Sequence, residues 1–354
     1  MTPDTVTLAA SPLACPACAS HGRWDPGRQA VVCPSCGTRV DGDAVVASPG
    51  DGVDFLPLLR DRPDSGRDWR PGATQVRCAA CAASMEYPAY LAGRACEACG
   101  SPSLLPCDAT GAPVHPSGVI PFAVGQTEAR DRFAAWIENM RTIGLRRRRV
   151  VVTAVRSVYV PCWTFSAQVR IPWRGEIERT NRDGQSERRS ISGVLDEAWR
   201  DLLVPASASV PPDLIQQTEP FPADDLAGYD PRYLAGHEVE VYGVNLWDAW
   251  DTADARIQRE VEAALRDDAG IGPDSLETWP EWSGQRCRHV LVPIHAVDYT
   301  WGAERFVALV NGRTGATAGT RPTDGLAIAL AVLGLAAAGI GLILLALQVR
   351  RWLS

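Results

Sequence analysis

The 354-residue chain reads as a multidomain protein: two small cysteine-knuckle modules, an α+β domain with antiparallel hairpins, and one C-terminal transmembrane helix. Three observations predict this. Eight of the 11 cysteines form four C-x2-C pairs, a long central stretch alternates apolar and polar residues around two amphipathic helical patterns, and 23 charge-free residues lie near the C-terminus. With 46% hydrophobic and 22% charged side chains, the composition excludes a collagen-like, mucin-like or wholly disordered chain and allows two or three globular units. The formal charge is −7, and all 35 basic residues are arginine, a compositional bias rather than a functional signal.

In chain order, residues 1–39 form the first module, with knuckles Cys15/Cys18 and Cys33/Cys36. Residues 40–74, rich in Asp, Arg, Gly and Pro, read as a linker with one apolar patch at Val53–Leu59. Residues 75–106 form the second module, with knuckles Cys78/Cys81 and Cys96/Cys99. Fourteen residues separate the knuckles in both modules, and C-x2-C-x14-C-x2-C repeated at identical spacing is a strong metal-binding pattern.

Residues 118–322 form the α+β domain. Gly118–Val124 is a short strand candidate, and Thr127 caps a helix to about Met140 with Phe133, Trp136, Ile137 and Met140 on one face. Val150–Ile171 is valine-rich and alternates from Phe165. The turn Asn181–Gly184 and the alternating Gln185–Val194 complete a hairpin. Glu238–Val244 is a strand, and Asn245 caps a helix to about Asp268 with Trp247, Trp250, Ala253, Ile257, Val261 and Leu265 inward. Arg288–Trp301 and Arg305–Val310 make a second hairpin, and Asn311-Gly312 turns into one more strand. Gly325–Leu347 spans roughly 34 Å as a helix, one membrane crossing. Thiols that need a reducing compartment, and no recognisable signal peptide, place residues 1–324 in the cytoplasm, tail-anchored to the inner membrane.

Two C-x2-C knuckles set four thiolates tetrahedrally around one ion, and zinc is the usual occupant. The chain is therefore expected to hold two Zn2+ ions, one on Cys15, Cys18, Cys33 and Cys36, the other on Cys78, Cys81, Cys96 and Cys99. Iron in a rubredoxin-like site is the rival, since the same knuckles hold it. Four protein ligands fill the shell, so both ribbons are structural rather than catalytic. Including the thiolates, the first ribbon carries a charge of about −1 and the second about −3, neither a phosphate-binding face. Nucleic acid is not expected as a partner. The cluster Arg146, Arg147, Arg148 and Arg149 could touch anionic lipid, although such runs are more often solvated. His289 and His295, six apart on one strand, are weak evidence for a metal without a third ligand. No H-E-x-x-H, G-x-S-x-G, Walker A or dinucleotide fingerprint occurs, so no enzymatic activity is expected.

The segments Leu91–Pro102, Gly118-Val-Ile-Pro-Phe122, Tyr159-Val-Pro-Cys-Trp-Thr-Phe165, Tyr229-Asp-Pro-Arg-Tyr-Leu-Ala-Gly236 and Asn311-Gly-Arg-Thr-Gly315, in this order before a C-terminal span, carry a resemblance. Together they resemble a family of bacterial zinc-ribbon membrane proteins often labelled primosomal protein N′, or replication-restart helicase-like. The resemblance covers about residues 75–350. Helicase activity does not follow, because the chain has neither a Walker A loop nor room for helicase domains. The resemblance implies a membrane-attached, zinc-binding cytoplasmic protein that works with envelope-maintenance scaffolds of the phage-shock or stomatin-like kind. The expected function is that of a non-catalytic adaptor whose two ribbons bind a protein partner at the lipid bilayer. The alternative is a membrane-attached nucleic-acid-binding zinc-ribbon protein.

Overall fold

The structure is a computed structural model that describes residues 15–20, 22–40, 52–55, 74–78, 84–87, 104–106, 116–139, 150–180, 186–207, 210–240, 242–271 and 275–320. Near the N-terminus, β1 (Arg23–Asp25) and β2 (Ala30–Val32) form an antiparallel hairpin. A two-residue strand, β3 (Val53–Asp54), precedes a separate three-stranded sheet of β4 (Thr74–Cys78), β5 (Ser84–Tyr87) and β6 (Leu104–Pro106), with β4 in the middle. Then follow β7 (Gly118–Val119), α1 (Gln126–Asn139), β8 (Val150–Thr180), β9 (Ser186–Pro205), α2 (Pro212–Gln217), β10 (Ala227–Gly228) and β11 (Glu238–Val239). The last described elements are α3 (Leu246–Ala269), β12 (Glu277–Thr278), β13 (Glu281–Trp301), β14 (Glu304–Asn311) and β15 (Thr317–Gly319).

Ten of these strands share one sheet. Its spine is the antiparallel pair β8 and β13, running from Glu281 opposite Arg170 to Trp301 opposite Val150 with register shifts between Ser283 and Arg286 and between Asp298 and Tyr299. Along one half β8 pairs with β9; at Val158 and Tyr159 its neighbour becomes the parallel β11. Pro161, which has no amide hydrogen, falls where β8 changes neighbours, and its carbonyl still accepts from Ala206 N–H at 2.9 Å. That placement lets a strand of 31 residues run through a proline.

Helix α3 covers the β8–β9 half. Asn245 accepts a hydrogen bond from Asp248 N–H and caps it, and Gly270 ends it with φ 65°. Ala249, Ala253, Ile257, Val261 and Leu265 bury its inner stripe against Phe165, Val169, Ile171, Leu202 and Val204. Helix α1 covers the other end, where Ala129 and Phe133 pack on Val297, Tyr299, Ala308 and Val310.

Two expectations are corrected. The α+β domain is dominated by its sheet. The valine-rich stretch and its partner continue past Ile171 and Val194 to Thr180 and Pro205, because each strand gives the other a ladder of partners with one register shift, between Phe165 and Ala167. The expected strands Gly118–Val124 and Glu238–Val244 shorten to two residues each. Second, among the described residues no helix is long and apolar enough to cross a membrane. The fold class with a C-terminal transmembrane helix, and the single-pass, tail-anchored placement at the inner membrane, are therefore not retained. Residues 325–347, which carried that expectation, lie outside the described residues.

Candidate metal centre

The first module is built from two copies of one backbone device. In each knuckle the first cysteine donates its N–H five residues ahead, Cys15 to Ser20 O at 2.8 Å and Cys33 to Thr38 O at 2.9 Å. Its carbonyl accepts from the residue four ahead, Ala19 or Gly37, both at 2.9 Å. Those two residues carry the chain back through positive φ, 58° at Ala19 and 73° at Gly37. The β1–β2 hairpin joins the knuckles and brings them face to face.

The result is a four-sulfur cluster. The Sγ atoms of Cys15, Cys18, Cys33 and Cys36 all lie within 4.8 Å of one another. Three separations are 3.5 Å (Cys15–Cys36), 3.4 Å (Cys18–Cys33) and 3.6 Å (Cys18–Cys36). These are far longer than a disulfide, and all four thiols are free. A tetrahedral ion with metal–sulfur bonds of about 2.3 Å has sulfur edges of about 3.8 Å, so the cluster fits such an ion with small adjustment. Ala17 N–H donates to Cys15 Sγ at 3.4 Å, and Thr38 Oγ1 lies 3.2 Å from Cys36 Sγ. Contact with Thr38 holds the Cys36 thiol down to about 6, contact with Ser20 lowers Cys18, and burial pushes Cys33 up to about 11. Cys36 and Cys18 thus give up their protons more readily than free thiols, and a cation at the centre would draw off those that remain.

The hairpin does not stand apart from the large sheet. Trp24, only 7% exposed, sits in a core shared with Val119, Phe122, Tyr159, Tyr233, Leu234 and Leu291. Its backbone N–H donates to Ala235 O at 2.9 Å and its Nε1–H to Phe122 O at 3.2 Å. Tyr233 meets its ring edge-on at 4.8 Å. Gln29 donates to Phe122 O at 2.8 Å, and Arg23 Nη2 to Gly236 O at 3.1 Å.

Four of the five segments singled out in the sequence meet beneath this hairpin. Tyr229–Gly236 forms a tight turn, capped by Asp230 accepting from Arg232 N–H, that supplies the carbonyls of Ala235 and Gly236. Gly118–Phe122 supplies the Phe122 carbonyl, and the Tyr159 hydroxyl accepts from Phe122 N–H at 3.3 Å. The buried Asn311 anchors its turn by accepting from Arg313 N–H and Thr314 N–H and donating to Thr218 O and Pro220 O. A side chain at Gly312 would come within 2.4 Å of the Phe122 ring, so only glycine allows this approach.

Between hairpin and sheet lies a cavity of about 310 Å³. Arg23, Asp25, Gln126, Ser157, His237 and His295 line it with polar groups, and Trp24, Pro26, Val32 and Pro34 with apolar ones. His295 Nε2 lies 2.9 Å from Val124 O, so that nitrogen carries the proton and Nδ1 accepts from Ser157 Oγ at 2.9 Å. Ser157 Oγ in turn accepts from Gln126 Nε2 at 2.9 Å. The order is that of a serine–imidazole pair, but its third member is a neutral carbonyl, and burial lowers the proton affinity of His295. His237 stacks on Phe122 at 4.4 Å and 25°, and burial, then His295 and Arg23, bring it down to about 3.

Of the sequence-predicted site residues, Cys15, Cys18, Cys33 and Cys36 come together. Cys78 is buried at the end of β4. Cys81, Cys96, Cys99 and Arg146–Arg149 lie outside the described residues. The two strand histidines part company: His295 faces the cavity, whereas His289 packs between Trp163 (5.1 Å) and Tyr242 (5.5 Å). Sequence reasoning missed Trp24, His237, Ser157 and Gln126. The one available signal was Trp24 itself, a large apolar side chain in a module too small to bury it.

No family model matches the chain, and no solved structure matches it. It is similar to the uncharacterized protein YdjG of Bacillus subtilis (strain 168), 23% identical over 225 residues, 58% of this chain and 64% of that protein. The chain thus spans just under two thirds of the length of the curated relative it matches.

Proposed function

We propose that the protein is a non-catalytic scaffold. A Zn2+ ion on Cys15, Cys18, Cys33 and Cys36 fixes the first ribbon on the large sheet, and the ribbon's exposed knuckle face is offered to a protein partner. The observation that carries this is the four-sulfur cluster, its Sγ atoms within 4.8 Å of one another and three of its edges 3.4–3.6 Å, built from two matched knuckles. Zinc suits an all-sulfur tetrahedral shell, has no redox chemistry, and with four protein ligands keeps no open position for a substrate. Cys15 and Cys33 face inward and are buried, whereas Cys18, Cys36 and the intervening Pro34 and Ser35 are exposed, as a contact surface requires. A ribbon charge of about −1, with zinc counted, argues for protein over nucleic acid. A second zinc on Cys78, Cys81, Cys96 and Cys99 belongs to the same proposal.

The test separates metal from partner. Ser35→Arg alters the exposed knuckle without touching a ligand. Purified full chain and variant should hold equal zinc, while proteins that co-purify with the wild type at stoichiometric level should be lost from Ser35→Arg. Loss of zinc from Cys36→Ser with every partner retained would refute the ribbon's role in recognition. Co-purifying nucleic acid, displaced as salt is raised, would favour the alternative reading.

A further inference from the structure

We propose that the cavity between the β1–β2 hairpin and the sheet is a binding site for a small carboxylate that also carries a hydroxyl, a 2-hydroxy acid in chemical class. The inference concerns the cavity and is independent of which partner the ribbon meets. The first observation is His237. Both its ring nitrogens are buried without a hydrogen-bond partner, while its ring is fixed between the Phe122 face and the Tyr159 edge at 5.7 Å. Folded proteins rarely leave such atoms unpaired, because an unmade buried hydrogen bond costs as much as the desolvation it required. A neutral imidazole has one donor and one acceptor on opposite edges of its ring, and a hydroxyl, which can both accept and donate, would complete whichever of them it meets.

The second observation is Arg23, which lines the same cavity. It spends Nη2 on Gly236 O and is held over that glycine, where an added Cβ would come within 2.5 Å of Arg23 Nε. Nη2 keeps a second N–H, which with the N–H of a neighbouring guanidinium nitrogen makes a planar pair suited to a carboxylate. Charge favours one negative unit over two. Asp25 is already committed to Gly27 N–H, Arg28 N–H and the Arg28 guanidinium, and the two imidazoles are neutral, so a single guanidinium faces the ligand. The hydroxyl would answer His237 and Gln126. The apolar wall of Trp24, Pro26, Val32 and Pro34 gives a hydrophobic substituent somewhere to lie.

The test is a titration of the zinc-loaded full chain with 3-phenyllactate, glycolate, acetate and inorganic phosphate, read by the imidazole 15N shifts of His237. The expected result is a saturable shift, tightest for 3-phenyllactate, weaker for glycolate and weaker still for acetate. Arg23→Gln, with the hairpin's integrity checked by hydrogen exchange at Val31, should weaken 3-phenyllactate at least tenfold, as should Gly236→Ala, which displaces Arg23. No shift at 50-fold excess over about 1 mM protein, an equal shift in Arg23→Gln, or tighter binding of phosphate than of any carboxylate would overturn the proposal.

Discussion

Ala19 and Gly37 hold equivalent places in the two knuckles, and both have positive φ, but only Gly37 lacks a Cβ. The left-handed region costs an L-residue about 1 kcal/mol, so Ala19→Gly should stabilise the metal-loaded ribbon by roughly that amount. Gly37→Ala should lose it, since an added Cβ there meets nothing within 4 Å and the cost is backbone alone. Urea denaturation of the two variants checks both signs. His237 sets a pH dependence. Its folded value, near 3, lies below the ordinary 6.5, so the unfolded chain takes up the proton first as pH falls. The stability is intact above pH 6.5, declines below it, and the decline levels off near 3. At pH 5 the loss is about 2 kcal/mol relative to pH 7.5. His295 pulls in the same direction. His237→Phe, which keeps the stack on Phe122, should flatten the profile by the His237 share, and a profile parallel to the wild type would contradict the buried neutral state.

At the scale of elements, the buried Trp24 indole, with Gln29 and Arg23 beside it, seats the β1–β2 hairpin on the sheet. Trp24→Ala removes a buried side chain and its bond to Phe122 O, a loss of about 3–5 kcal/mol for core changes of this size. Hydrogen exchange at Val31 and Val40 should then accelerate at least tenfold, while amides of β13 and β14 keep their protection and the four cysteines keep their metal. The sequence made most of α3 legible, because its Asn245 cap and the stripe Ala253, Ile257, Val261 and Leu265 are local, but Ala249 rather than the expected Trp247 fills the first buried turn. The hairpin of β13 and β14 was legible from Arg288 onward, with Gly302 at its turn, whereas β13 itself begins at Glu281. The docking of the first ribbon was not. Arg23 and Gly236 are 213 residues apart, and no periodicity links them. The full reach of β8 and β9 was also hidden, the expected stretch running through Pro161 but stopping at Ile171, just before Pro172. Only their neighbours show that Pro161 sits at a change of partner and that the Pro172 carbonyl is used by Trp279 N–H.

For the whole molecule, the ribbon and the sheet make one structure with a cavity at their seam. The cysteine spacing revealed which thiols converge; it did not reveal that the motifs around Phe122, Tyr159, Gly236 and Asn311 form the bed on which the ribbon lies. Metal removal should therefore be felt beyond the cysteines. Chelation is expected to release the β1–β2 hairpin, change Trp24 fluorescence and open the His237 ring to solvent, with the β8–β13 spine intact. The most direct test is X-ray absorption at the zinc edge on the full chain with Cys78, Cys81, Cys96 and Cys99 replaced by serine, which isolates the first site. One zinc per chain with four sulfurs at about 2.3 Å is the expected result. A chain without stoichiometric metal, or a shell containing nitrogen or oxygen, would contradict the four-cysteine centre on which the ribbon's role depends.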